Sequence, residues 1–93
     1  MLLAKVVGTV VATRKDERLV SHKLLIVRPF DPAGKSKGTC LVAVDTVEAG
    51  VGETVLTVLG SSARMAFGMK DCPVDAAIVG IVDTIDLQDG TKR

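Results

Sequence analysis

Three segments of this chain are apolar at nearly every position: residues 41–44 (LVAV), 55–59 (VLTVL) and 76–82 (AAIVGIV). Successive side chains of a strand point to opposite faces, so such runs put apolar surface on both sides of a sheet. One face fills the core; the other is normally polar when it meets water. At 93 residues the chain has room for a single domain and little left to cover a second apolar face. A chain of this size buries only about two-thirds of the surface its unfolded form exposes. The outer faces are therefore expected to be covered by another copy of the chain.

The remaining punctuation supports short strands. Residues 4–13 (AKVVGTVVAT) read as a first strand, with Ala4, Val6, Gly8, Val10 and Ala12 on one face and Val7 and Val11 on the other. Gly8 within it signals a bulge or a close approach of other atoms. A charged connection, 14–21 (RKDERLVS), leads to a second strand at 22–28 (HKLLIVR), which ends before Pro29. Asp31-Pro32-Ala33-Gly34 fits a type I turn. A third strand is expected at 39–45 and a fourth at 53–60, joined by a turn built on Gly50, Gly52 and Glu53. Residues 61–67 (SSARMAF) suit a short helix, 68–73 a return, and 76–83 a final strand. Residues 87–93 form a polar tail expected to fray or to add a short edge strand. Five strands and one helix point to a mostly β fold, a small OB-like barrel in a single domain spanning 1–93.

Composition removes several function classes. Twelve basic and eleven acidic side chains nearly cancel, leaving no basic stripe for nucleic acid and no polybasic membrane anchor. Phe30 and Phe67 are the only aromatics, too few for the stacking platforms on which OB folds hold single strands. Arg14, Lys15 and Arg18 are interrupted by Asp16 and Glu17. Cys40 and Cys72 lack metal-ligand spacing, and Asp75, Asp83 and Asp86 have no clustered His, Cys or Asn, so no metal site is expected. No cofactor motif is present: Gly50-Val51-Gly52-Glu53 lacks the Gly-Lys-Ser/Thr ending of a phosphate loop. Met1-Leu2-Leu3 runs into strand-like sequence without a signal-type apolar region, and a cytoplasmic location is expected.

Gly60-Ser61-Ser62-Ala63-Arg64 is the segment with most chemical potential. As a nucleophile site it lacks the Gly-x-Ser-x-Gly elbow, and His22, the single histidine, begins a different strand. The simpler reading makes Ser61 or Ser62 the N-cap of the short helix. A further reading adds Arg64 and the helix N-terminus as donors to an anion or to a neighbouring subunit's carbonyls.

The pattern Asp45-x-Val47-x-Ala49-Gly50-x-Gly52-Glu53-x-Val55-Leu56, followed by Gly60-Ser61-Ser62-Ala63-Arg64, resembles the signature of bacterial microcompartment vertex proteins. The likeness extends through Pro73-Val74-Asp75, residues 78–83 (IVGIVD), and the earlier VVGTVVAT, HKLLIV and DPAG stretches. It departs at Thr54, where the family often carries a bulky aromatic, and at His22, where glycine is common. The resemblance implies an OB-like barrel that assembles as a homopentamer and performs no catalysis. It further implies a place at the five-fold corners of a polyhedral shell in the cytoplasm, beside hexameric shell tiles. It puts Gly60, Ser61, Ser62, Ala63 and Arg64 near the subunit contacts or the pore. The alternative function is an OB-fold module binding a small ligand or single-stranded nucleic acid.

Overall fold

The computed structural model describes residues 1–12, 22–67 and 75–88. Five strands, β1 (Leu2–Val10), β2 (Leu24–Pro29), β3 (Leu41–Asp45), β4 (Thr54–Leu59) and β5 (Ala76–Val82), form a closed barrel in the order β1-β2-β3-β5-β4. One helix, α1 (Gly60–Phe67), separates β4 from β5. All neighbouring pairs are antiparallel except β3 and β5, which run parallel and pair only at Val44↔Ala77 and Asp45↔Ile78. No edge strand occurs in residues 83–88, and the connections at 14–21 and 68–73 and the tail at 89–93 lie outside the described residues. No helix among the described residues is long and apolar enough to cross a membrane.

The interior is packed with small aliphatic side chains. Ala4, Val6, Leu25, Val27, Ala43, Ala49, Val55, Ala76 and Ile78 form one buried cluster, with Leu41 and Val47 packed against it. Burying a Val, Leu or Ile side chain contributes roughly 1.5–3 kcal/mol, so aliphatic filling suffices where the barrel is too narrow for rings.

The face assignment expected for β1 is corrected by a bulge. Val6 stands opposite Val27 but Gly8 stands opposite Ile26, so Val7 is an extra residue and the alternation flips after it. Gly8 and Val10 therefore leave the face of Ala4 and Val6 and stand opposite Ile26 and Leu24. A Cβ on Gly8 would sit 3.4 Å from Cδ1 of Ile26, in ordinary contact at the limit of closeness. β4 and β5 repeat the device: the register shifts between Leu56 and Thr57, and Gly80 lies under Leu56, whose Cδ1 would be 3.4 Å from an added Cβ. Bulges bend the strands they interrupt, which lets so short a sheet curl onto itself.

The expected apolar outer surface divides in two. Part of it is covered by the chain itself: Val44, Val58 and Ala77 form a second buried cluster with Ala63 of α1, flanked by Leu24 and Val79. The helix thus supplies the layer that the sequence had seemed too short to provide. The rest stays open to solvent, with Val42 at 51%, Leu59 at 43% and Ile81 at 40% exposure.

Thr57 breaks the aliphatic pattern. It is fully buried, and its Oγ1 has no hydrogen-bond partner. A buried hydroxyl without a partner costs free energy that an isosteric methyl does not. Thr57→Val is expected to stabilise the chain by about 1 kcal/mol and to raise the unfolding midpoint by about 4–8 °C, read by thermal denaturation.

Candidate functional site

Two backbone corners carry the residues singled out above. The first joins β3 to β4. Gly50 N–H donates to Oε1 of Glu53 at 2.6 Å, and Glu53 N–H returns to the Gly50 carbonyl at 3.1 Å, closing a tight turn. Gly52 holds φ at +95°, a region where an L side chain is strained. The turn is fastened to β1: Gly52 N–H donates to the Val6 carbonyl, and Val6 N–H to the Glu53 carbonyl, both at 2.9 Å.

Upstream of the turn lies a polar cluster that the residue pattern did not assign a role. Asp45 has a buried side chain, 1% exposed, whose Oδ1 accepts from Val47 N–H at 3.0 Å. Its Oδ2 lies 3.4 Å from Lys23 Nζ, an ion pair without hydrogen-bond geometry. Lys23 Nζ donates instead to the Ala49 carbonyl at 2.8 Å. Thr46 adds a second tie, its Oγ1 donating to the Ile78 carbonyl at 2.6 Å. The loop between β3 and β4 is thereby pinned from both sides, by the chain leading into β2 and by β5. The sequence signal was present in the Asp45-x-Val47 spacing, but its partner, Lys23, is distant in the chain.

The second corner joins β4 to α1. Gly60 turns the chain with φ at +61°, and its N–H donates to the Asp75 carbonyl at 2.8 Å, tying the start of the helix to the approach of β5. Ala63 is completely buried in the cluster beneath the helix, whereas Ser61 and Ser62 are exposed. The expectation of a serine N-cap is corrected here. α1 begins at Gly60, so both serines fall inside its first turn instead of preceding it. Arg64 follows in the same helix.

The other candidates stand apart. Asp75, Asp83 and Asp86 are exposed, and Asp86 accepts from Gln88 Nε2 at 2.9 Å. Among the described residues no group of three or more His, Cys, Asp or Glu is placed to hold a metal ion. Cys40 is exposed and free. His22 is exposed at the approach to β2.

The closed aliphatic barrel with its two glycine corners has counterparts among known proteins. Residues 1–83 match the family described as "Ethanolamine utilisation protein EutN/carboxysome". The chain belongs to this EutN/carboxysome family. Among members of the family, the microcompartment shell vertex protein EutN of Escherichia coli is 47% identical over 85 residues, covering 91% of this chain and 90% of the relative. The shell vertex protein GrpN of Rhodospirillum rubrum is 49% identical over 86 residues, covering 92% and 97%. The carboxysome shell vertex protein CcmL of Synechocystis sp. is 46% identical over 91 residues, covering 98% and 91%. The fold agrees as closely. A solved EutN structure superposes with a TM-score of 0.89 at 45% identity, covering 98% of this chain and 94% of its own. A structure described as the GrpN pentameric microcompartment shell protein from Rhodospirillum rubrum gives 0.84 at 47% identity, covering 94% and 99%. The family is the one that the Gly-x-Gly-Glu and Gly-Ser-Ser-Ala-Arg motifs resembled.

The Glu53 side chain accepts from a backbone donor inside a turn. Glu53→Ala is expected to destabilise the chain by about 1.5–3 kcal/mol and Glu53→Gln by less, measured by denaturant unfolding.

Proposed function

We propose that this chain is a structural shell protein of a bacterial microcompartment, a single vertex domain across residues 1–93 that assembles into homopentamers closing the five-fold corners. The observation that carries this reading is near-full-length identity of 46–49% to shell vertex proteins of three compartment types, with the same barrel as a pentameric shell protein. The physical role follows from geometry. A layer tiled only by hexagonal units is flat, and closing it into a polyhedron requires five-fold units at the corners.

In this reading the protein acts by shape and contact, without turnover, and sits in the shell within the cytoplasm beside hexameric tiles. The exposed Val42, Leu59 and Ile81 support it, since apolar side chains left on a small barrel are suited to burial against another copy. Gly60, Ser61, Ser62, Ala63 and Arg64 belong near the subunit contact or the pore, on the corner that leads from the barrel into the helix. The Gly50, Gly52 and Glu53 turn is structural, holding β4 against β1.

Native mass spectrometry tests the ring directly. The expected species has five times the chain mass of 9.7 kDa. A folded monomer at working concentration would sink the proposal. Arg64→Ala is expected to shift the population from the ring toward smaller species, and an unchanged ring would remove Arg64 from the contact. Val79→Asp, which puts a charge against the cluster beneath α1, is expected to abolish folding or assembly.

A further inference from the structure

The outer side of β1 carries a pairing that barrel closure does not require. Lys5 stands directly opposite Arg28 on β2, and opposite Thr54 on β4. Both cations are exposed. Side chains in this relation have Cβ atoms about 5 Å apart, and like charges so placed repel.

Among the described residues the acids nearest in the chain form no ion pair with either cation. Glu53, next to Thr54, turns Oε1 to Gly50 N–H. Asp31, next to Phe30, accepts from the N–H groups of Ala33 and Lys35, both at 3.0 Å. Asp83 lines a separate notch with Thr54, Val82, Thr84 and Ile85. Among the described residues neither Lys5 nor Arg28 has an ion-pair partner.

The two cations also share a concave site. Lys5, Arg28, Phe30, Gly34, Ser36 and Thr54 line a cavity of about 220 Å³. One wall is the turn after β2, closed by the Gly34 N–H bond to the Asp31 carbonyl at 2.8 Å and by the Phe30↔Ser36 bridge. The lining thus offers a planar guanidinium fork, an ammonium and two hydroxyls, with no carboxylate among them. Drug-sized ligands occupy about 300–1,000 Å³, so this cavity suits something smaller.

We propose that this cavity binds a small free oxyanion of the phosphate or carboxylate class. The anion offsets the Lys5–Arg28 repulsion and accepts charge-assisted hydrogen bonds from both, with Arg28 able to engage two oxygens at once. Ser36 and Thr54 supply neutral donors at the rim. Every residue that lines the site comes from one chain.

Calorimetric titration with inorganic phosphate at constant ionic strength, paralleled by amide chemical shifts, tests this. The expected result is saturable binding of one phosphate per chain, with shifts centred on Lys5, Arg28, Ser36 and Thr54. Lys5→Gln and Arg28→Gln should each weaken binding by about tenfold or more. Lys35→Gln, which removes the same charge from the exposed turn, should leave affinity unchanged. Phosphate should raise the unfolding midpoint of the native chain and not of the Lys5→Gln, Arg28→Gln double variant, which is expected to fold because both side chains are exposed. Absence of saturation, or equal weakening by Lys35→Gln, overturns the proposal. So does loss of co-assembly with hexameric shell tiles in the double variant when no phosphate binds, which would assign the cations to a partner's acidic side chain. Failure of the vertex reading would show separately, in the native mass.

Discussion

Closure of the sheet is the constraint from which the other features follow. β1 has nine residues, β2 and β4 six, β3 five and β5 seven. Five strands close around an interior so narrow that Val, Ala, Leu and Ile fill it, with no aromatic in the inner cluster. The two register shifts, at Val6/Gly8 and Leu56/Thr57, supply the bending that closure demands. In each case a glycine lies beneath a branched side chain of the neighbouring strand, Ile26 over Gly8 and Leu56 over Gly80. A larger residue at either glycine would press on the cross-strand contact that shapes the bend.

Closure also determines where polar groups are tolerated. The β3–β4 loop passes over an apolar interior, and Asp45 enters that interior because Val47 N–H and Lys23 attend its two oxygens. Only the carboxylate of this pair is buried, the Lys23 side chain being 55% exposed, so removing Lys23 would leave Asp45 without its counter-charge. Thr57, buried without a partner, is the position where this accounting is incomplete.

Much of this was legible in the residues. All five strands follow from apolar runs separated by Gly, Pro and charged stretches, and residues 61–67 are helical as their composition suggested, with Gly60 joining the helix instead of the fourth strand. Gly8 announced a bulge, but not that Val7 would be the extra residue, because that depends on which residue of β2 stands opposite. The serine cap failed because Gly60, turned to φ +61°, occupies the entry to the helix and leaves both serines in its first turn. The covering of Val44, Val58 and Ala77 by α1 could not be seen either, since it requires knowing where the helix returns. Lys23–Asp45 and Lys5–Arg28 are both long-range pairs, one joined across a loop and the other created by strand register. Such relations exist only once the sheet is formed.

The parallel join between β3 and β5 has a bearing on biosynthesis. Of the described strands β5 comes latest in the chain, and it is the neighbour of both β3 and β4. Until it arrives, those two strands each present a bare flank and the cylinder is an open ribbon. β5 is therefore the latch of the barrel, and its arrival turns the ribbon into a cylinder.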